Sequence, residues 1–101
     1  MSVAILGGLD RLKPLYQNSG RKLGFPDLKV FGKRVPNMDK RLKGVGGIVI
    51  FTDTVSHNMV AHAVQVGKDY GIPIVRSHSS GISSLKKCLA EFSKLYATVP
   101  A

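Results

Sequence analysis

The stretch Gly46–His57, GGIVIFTDTVSH, holds an apolar run at Ile48–Phe51 that stops abruptly in Asp53, Thr54, Ser56 and His57. Every position of the run is apolar and β-branched residues dominate it, the composition of a strand covered on both faces. It reads as a central strand of a parallel sheet with polar side chains gathered at its carboxyl end. Two further runs have the same form: Val3–Leu6 ends in Gly7 and Gly8, and Ile72–Val75 ends in Arg76, Ser77, His78, Ser79 and Ser80. Three strand ends therefore predict one polar edge.

Between these runs the apolar period changes from continuous to helical. Leu12, Leu15, Tyr16 and Leu23 recur at roughly helical spacing, and Pro14 sets the helix start, where its missing N–H has no intrahelical partner to lose. Residues 7–13 are then a loop. Gly24 and Pro26 end the helix and lead into a weaker strand, Leu28–Phe31, which carries Lys29 and suits a sheet edge. Pro36, Asn37 and Asp39 can open a short helix before Gly44. Ser56 is a good N-cap for a helix whose apolar stripe is Met59, Val60, Ala63, Val64 and Tyr70, stopped by Gly71 and Pro73. Ile82, Leu85, Leu89, Phe92 and Tyr96 fall three and four apart and predict a closing amphipathic helix.

The alternation βαβαβαβα with short connections predicts a three-layer α/β/α fold, a flavodoxin/Rossmann-like four-stranded parallel sheet of order 2-1-3-4. At 101 residues and 44% hydrophobic content the chain is expected to form one domain over residues 1–101. Ligands of such sheets bind outside the carboxyl ends of the strands, at the switch between strands 1 and 3. Gly7, Gly8, Asp53 and Thr54 flank that crevice.

Composition narrows the function classes. The lone Cys88 excludes an intramolecular disulfide and a multi-cysteine metal cluster within one chain. Its place between Leu85 and Leu89 fits a packed thiol. The start MSVAILGG lacks a basic segment and a long apolar run, and no stretch approaches the roughly 18 apolar residues of a membrane span, so a cytoplasmic location is expected. The net charge of +9 is uneven, because residues 10–43 hold ten Lys or Arg against three acids. Such a field favours polyanions, an acidic partner or a phosphorylated small molecule, and serves equally as a solvated surface.

Across almost the whole chain, ILGGLDRLKP, then FTDTVSH, then the GIP strand leading into HSSGISSL stand in an order and spacing that resemble the DUF2325 family of small uncharacterised prokaryotic proteins. The resemblance implies a compact Rossmann-like α/β domain and brings no activity with it. What it carries over is the pair Gly7 and Gly8, Pro14 at the helix start, Asp53, the pair Ser56 and His57, and the turn at Ser79 and Ser80. Many members of that family carry cysteine where this chain has Thr54 and Gly67, so thiolate metal or redox chemistry does not transfer.

Four readings of the polar residues stay open. An anionic or phosphorylated small molecule would be held by Gly7, Gly8, Asp53, Thr54, Ser56, His57, Ser77, His78, Ser79, Ser80 and Gly81, because helix starts offer free N–H groups and hydroxyls to negative charge. GGLDRL is neither the dinucleotide fingerprint nor a P-loop. A divalent metal such as zinc would take Asp53, His57 and His78, a carboxylate and two imidazoles from adjacent strand ends. His62, five residues from His57, diverges from it by about 140° on a helix and reads as a surface residue. The same Asp53, His57 and His78 could serve a small hydrolase, although no nucleophile motif is present. Nucleic acid would bind without sequence preference through Arg11, Lys13, Arg21, Lys22, Lys29, Lys33, Arg34, Lys40, Arg41 and Lys43. A homodimer is compatible with the sequence, and membrane association is not expected.

Overall fold

The computed structural model describes residues 2–32 and 35–97. Its strands are β1 (Ser2–Leu6), β2 (Asp27–Gly32), β3 (Gly47–Phe51) and β4 (Ile74–Ser77), all parallel, in the order β2-β1-β3-β4. Helices α1 (Lys13–Lys22), α2 (Met38–Leu42), α3 (His57–Tyr70) and α4 (Ile82–Ala97) complete the alternation, with a 3-10 turn at Asp10–Leu12. The expected strand order and three layers are present. None of the described helices is long and apolar enough to cross a membrane.

The two-residue period of the central strands builds the layers, since successive side chains point to opposite faces. Val3, Ile5, Val49 and Phe51 face one way and pack with Tyr16 of α1 and Leu85, Cys88, Leu89 and Phe92 of α4. Ala4, Leu6, Ile48 and Ile50 face the other way and pack with Met38 and Leu42 of α2 and Ala63 and Val66 of α3. Both faces of β1 and β3 are thus covered, which is why Ile48–Phe51 could be apolar throughout.

Several sequence expectations need correction. Helix α1 docks through Tyr16 and Gly20, leaving Leu15 and Leu23 49% and 44% exposed. Gly20 permits this approach, because a Cβ there would stand 2.7 Å from the Leu28 side chain. Helix α3 docks through Ala63, Val66 and Gly67, so Tyr70 points to solvent. Strand β4 starts two residues later than expected. Gly71 adopts a left-handed conformation (φ 65°) and the Ile72 N–H closes back on the Gly67 carbonyl at 2.8 Å, so Ile72 still belongs to the helix end. Arg76 and Ser77 consequently lie inside the strand. The side chain of Tyr96 and residues Lys33 and Arg34 fall outside the described residues.

Candidate functional site

The carboxyl edge consists of two parts with different chemistry. The first is a hydrogen-bond network that stitches three strand ends together. The Gly8 N–H donates to Thr54 Oγ1 at 2.7 Å, and that hydroxyl donates to the Phe51 carbonyl at 3.1 Å. Ser80 Oγ lies 3.3 Å from Thr54 Oγ1 and donates to Asp53 Oδ1 at 2.5 Å. Tyr16 donates its hydroxyl proton to the Ser80 carbonyl and accepts from the Leu9 N–H at 3.2 Å. The crevice between β1 and β3 is therefore filled by the protein's own side chains. Gly7 is buried beneath Thr54 and Val55, and Gly8 beneath Tyr16 and Phe51, rather than open to a ligand.

The second part is open. A pocket of about 380 Å³ lies at the carboxyl ends of β3 and β4, lined by Thr52, Val55, His57, Val60, Arg76, Ser77 and His78. Ser56 caps α3 by accepting the Met59 N–H at 3.2 Å, which sets His57 as the first helical residue at the rim. Thr52 Oγ1 lies 3.3 Å from both the Ser77 carbonyl and His78 Nδ1 and so orients the second imidazole. Ser77 and Ser79 shape the β4–α4 turn: Ser77 Oγ donates to the Ser79 carbonyl at 2.9 Å, and Ser79 Oγ accepts the Gly81 N–H at 3.2 Å. A slightly larger hollow, about 400 Å³, flanks the end of α3 and the start of β4. It lies away from the polar turns and gathers no converging polar side chains apart from Lys68 and Arg76, so the smaller pocket is the better site.

This geometry sorts the sequence candidates. His57, Ser77 and His78 share the open pocket, Ser56 and Gly81 belong to the helix caps beside it, and Gly7, Gly8, Asp53, Thr54 and Ser80 belong to the closed network. The metal triad is not assembled: among the described residues no three His, Cys, Asp or Glu side chains converge on a cation site. Asp53 is held by Ser80, and the cationic residue Arg76 lines the pocket where zinc was expected between His57 and His78. For the hydrolase arrangement, Asp53 accepts the Ser80 hydroxyl and makes no hydrogen bond to His57. His62 is exposed and meets Asp39 at 3.1 Å.

The basic residues do not share one face. Arg11, Lys13, Arg21 and Lys22 belong to the α1 side of the sheet, whereas Lys40, Arg41 and Lys43 belong to α2 on the opposite side, with Lys29 exposed on the β2 edge. Sequence reasoning also missed Thr52 and the bridging role of the Tyr16 hydroxyl. The signal for the latter was present, because a buried tyrosine in place of phenylalanine implies a partner for its O–H.

Cys88 lies on the far side of β4, at the wall of a third cleft, and is 4% exposed. Burial, with the Glu91 carboxylate adding to it, raises its pKa above the ordinary 9.0, and a hydrogen bond with Ser77 opposes the rise. A raised folded pKa holds the proton in the native state, so the thiol's contribution to stability is present below the unfolded pKa and lost as pH rises through the folded value. At neutral pH a disulfide reagent such as DTNB is expected to label Cys88 at least about tenfold more slowly in the native than in the denatured chain. Equal rates would show an accessible, ionisable thiol.

A doubly wound parallel α/β fold with a polar pocket at the carboxyl ends of its strands is the class of protein these features define. The chain belongs to the DUF2325 family, whose model, described as an uncharacterized protein conserved in bacteria, matches residues 2–92. No curated protein and no solved structure matches it.

Proposed function

We propose that the chain is a ligand-binding module whose pocket between β3, β4 and the start of α3 takes a small anionic molecule carrying a phosphate group. The observation that supports this is the meeting of Arg76, His57 and His78 around one pocket from which the neighbouring carboxylate, Asp53, is withheld by its bond to Ser80. A guanidinium offers paired donors that match phosphate oxygens, and the imidazoles add two further donors. The first turn of α3 adds the positive end of a 14-residue helix beside them. Val55 and Val60 supply an apolar wall for the rest of the ligand. At about 380 Å³ the pocket suits a phosphorylated metabolite or a mononucleotide rather than a large cofactor.

Isothermal titration with inorganic phosphate and a series of mononucleotides tests the reading. Removing one charge-assisted contact costs about 1.5–3 kcal/mol, so Arg76→Ala is expected to weaken binding by roughly 10- to 100-fold. Arg76 is exposed, and the fold should survive the change. Stabilisation by zinc in place of phosphate, or unchanged affinity in Arg76→Ala, would overturn the proposal.

A further inference from the structure

We propose that the solvent face of the α1/α4 layer binds the phosphate backbone of double-stranded nucleic acid. This surface is distinct from the small-ligand pocket and rests on how folding redistributes charge. In the sequence the excess of cations lies in residues 10–43, but the fold sends α2 to the other side of the sheet and brings α4 against α1. Arg11, Lys13, Arg21 and Lys22 are thereby joined by Lys86 and Lys87, with Asp10 and Glu91 the only acids on these elements. None of these six cations is paired with a carboxylate among the described residues. The opposite layer is closer to balance, since Lys40, Arg41, Lys43 and Lys68 are offset by Asp39 and Asp69, and Arg41 is turned to the Pro36 carbonyl at 3.0 Å.

The character of the face selects the partner. Tyr16, Phe25 and Phe92 are buried, so the described side chains of this layer offer no aromatic platform on which unstacked bases of a single strand could stack. The apolar stripes of α1 and α4, including Tyr16, Leu85, Leu89 and Phe92, are committed to the core, which leaves a membrane interface only the half-exposed Leu15, Leu23 and Leu95 on this layer. A lysine-rich face without an aromatic anchor is a poor protein interface. A regular array of phosphates needs none of these features. Helix α4, at about 24 Å, is long enough to span a stretch of duplex axis carrying on the order of ten phosphate charges.

The test is fluorescence anisotropy of a labelled duplex of about 20 base pairs with the full chain and two triple variants. Arg21→Glu/Lys22→Glu/Lys86→Glu and Lys40→Glu/Arg41→Glu/Lys43→Glu change the net charge equally but alter opposite layers. The first is expected to bind at least about tenfold more weakly than the wild type, and the second within about threefold of it. Wild-type affinity should fall with salt at a log–log slope of about −4, as four or five phosphate contacts require. Circular dichroism confirms that both triples fold, and Arg76→Ala should bind duplex as the wild type does. Equal weakening in the two triples, no binding of duplex by the wild type, or stronger binding to phosphatidylserine vesicles than to duplex would each overturn the proposal.

Discussion

Phe92→Ala is expected to remove about 3–5 kcal/mol of folding stability, the range in which truncation of a fully buried aromatic ring falls. The ring is fully buried on α4 and sits over Gly47, the first residue of β3. A Cβ added at Gly47 would lie 2.8–3.0 Å from three of the ring's carbons, so the missing side chain is the socket into which the ring fits. Truncating the ring leaves a cavity that the backbone of a central strand cannot fill, since β3 is held by β1 on one side and β4 on the other. A chain of this size has roughly 5–15 kcal/mol in total, so the variant should melt at least about 12 °C below the wild type. Urea denaturation followed by far-ultraviolet circular dichroism measures this, and a loss under about 1 kcal/mol would mean that α4 is anchored elsewhere.

What could be read from the sequence were the features with a local physical cause. Ile48–Phe51 announced a central strand because burial on both faces leaves no room for a polar residue, and Ser56 and Gly71 announced the ends of α3 because caps need their side chain or their φ. The strand order followed once the alternation of elements was read as the flavodoxin-like arrangement. Leu15, Leu23 and Tyr70 were misread because helical spacing does not say which of two adjacent arcs meets the sheet. Small residues decided that choice: Gly20 and Gly67 let backbones approach, and the larger neighbours were rotated outward. The polar residues at the strand ends were identified, but their division into a closed network and an open pocket was not. That division depends on which hydroxyl reaches which oxygen, and Ser80 reaches Asp53 across 27 residues of sequence. The two faces of the basic charge were equally hidden, because only the packing of α4 beside α1 places Lys86 in the same layer as Arg21.

Gly7→Ala is expected to cost about 3 kcal/mol, through two effects that a second glycine separates. Gly7 has φ 88°, a conformation in which any L side chain is strained, and that part alone is about 1 kcal/mol. A Cβ there would also stand 2.5 Å from Thr54 Oγ1 and 2.8 Å from Val55 Cγ1. Thr54 cannot yield without cost, since its hydroxyl accepts the buried Gly8 N–H at 2.7 Å and donates to the Phe51 carbonyl. Moving it leaves a buried donor unpartnered, at about 1–3 kcal/mol. Gly24 has nearly the same φ, 91°, but nothing within 4 Å of an added methyl group, so Gly24→Ala carries the backbone strain without the clash. Thermal melts should therefore place Gly7→Ala roughly 12–24 °C below the wild type and Gly24→Ala only about 4–8 °C below it. Similar losses in the two variants would mean that Thr54 shifts freely, and the network would then be a loose cover over the β1–β3 crevice rather than its permanent filling. With a large gap between them, the glycine pair is explained by the protein's own packing, and the open pocket beside Arg76 is left as the proposed ligand site.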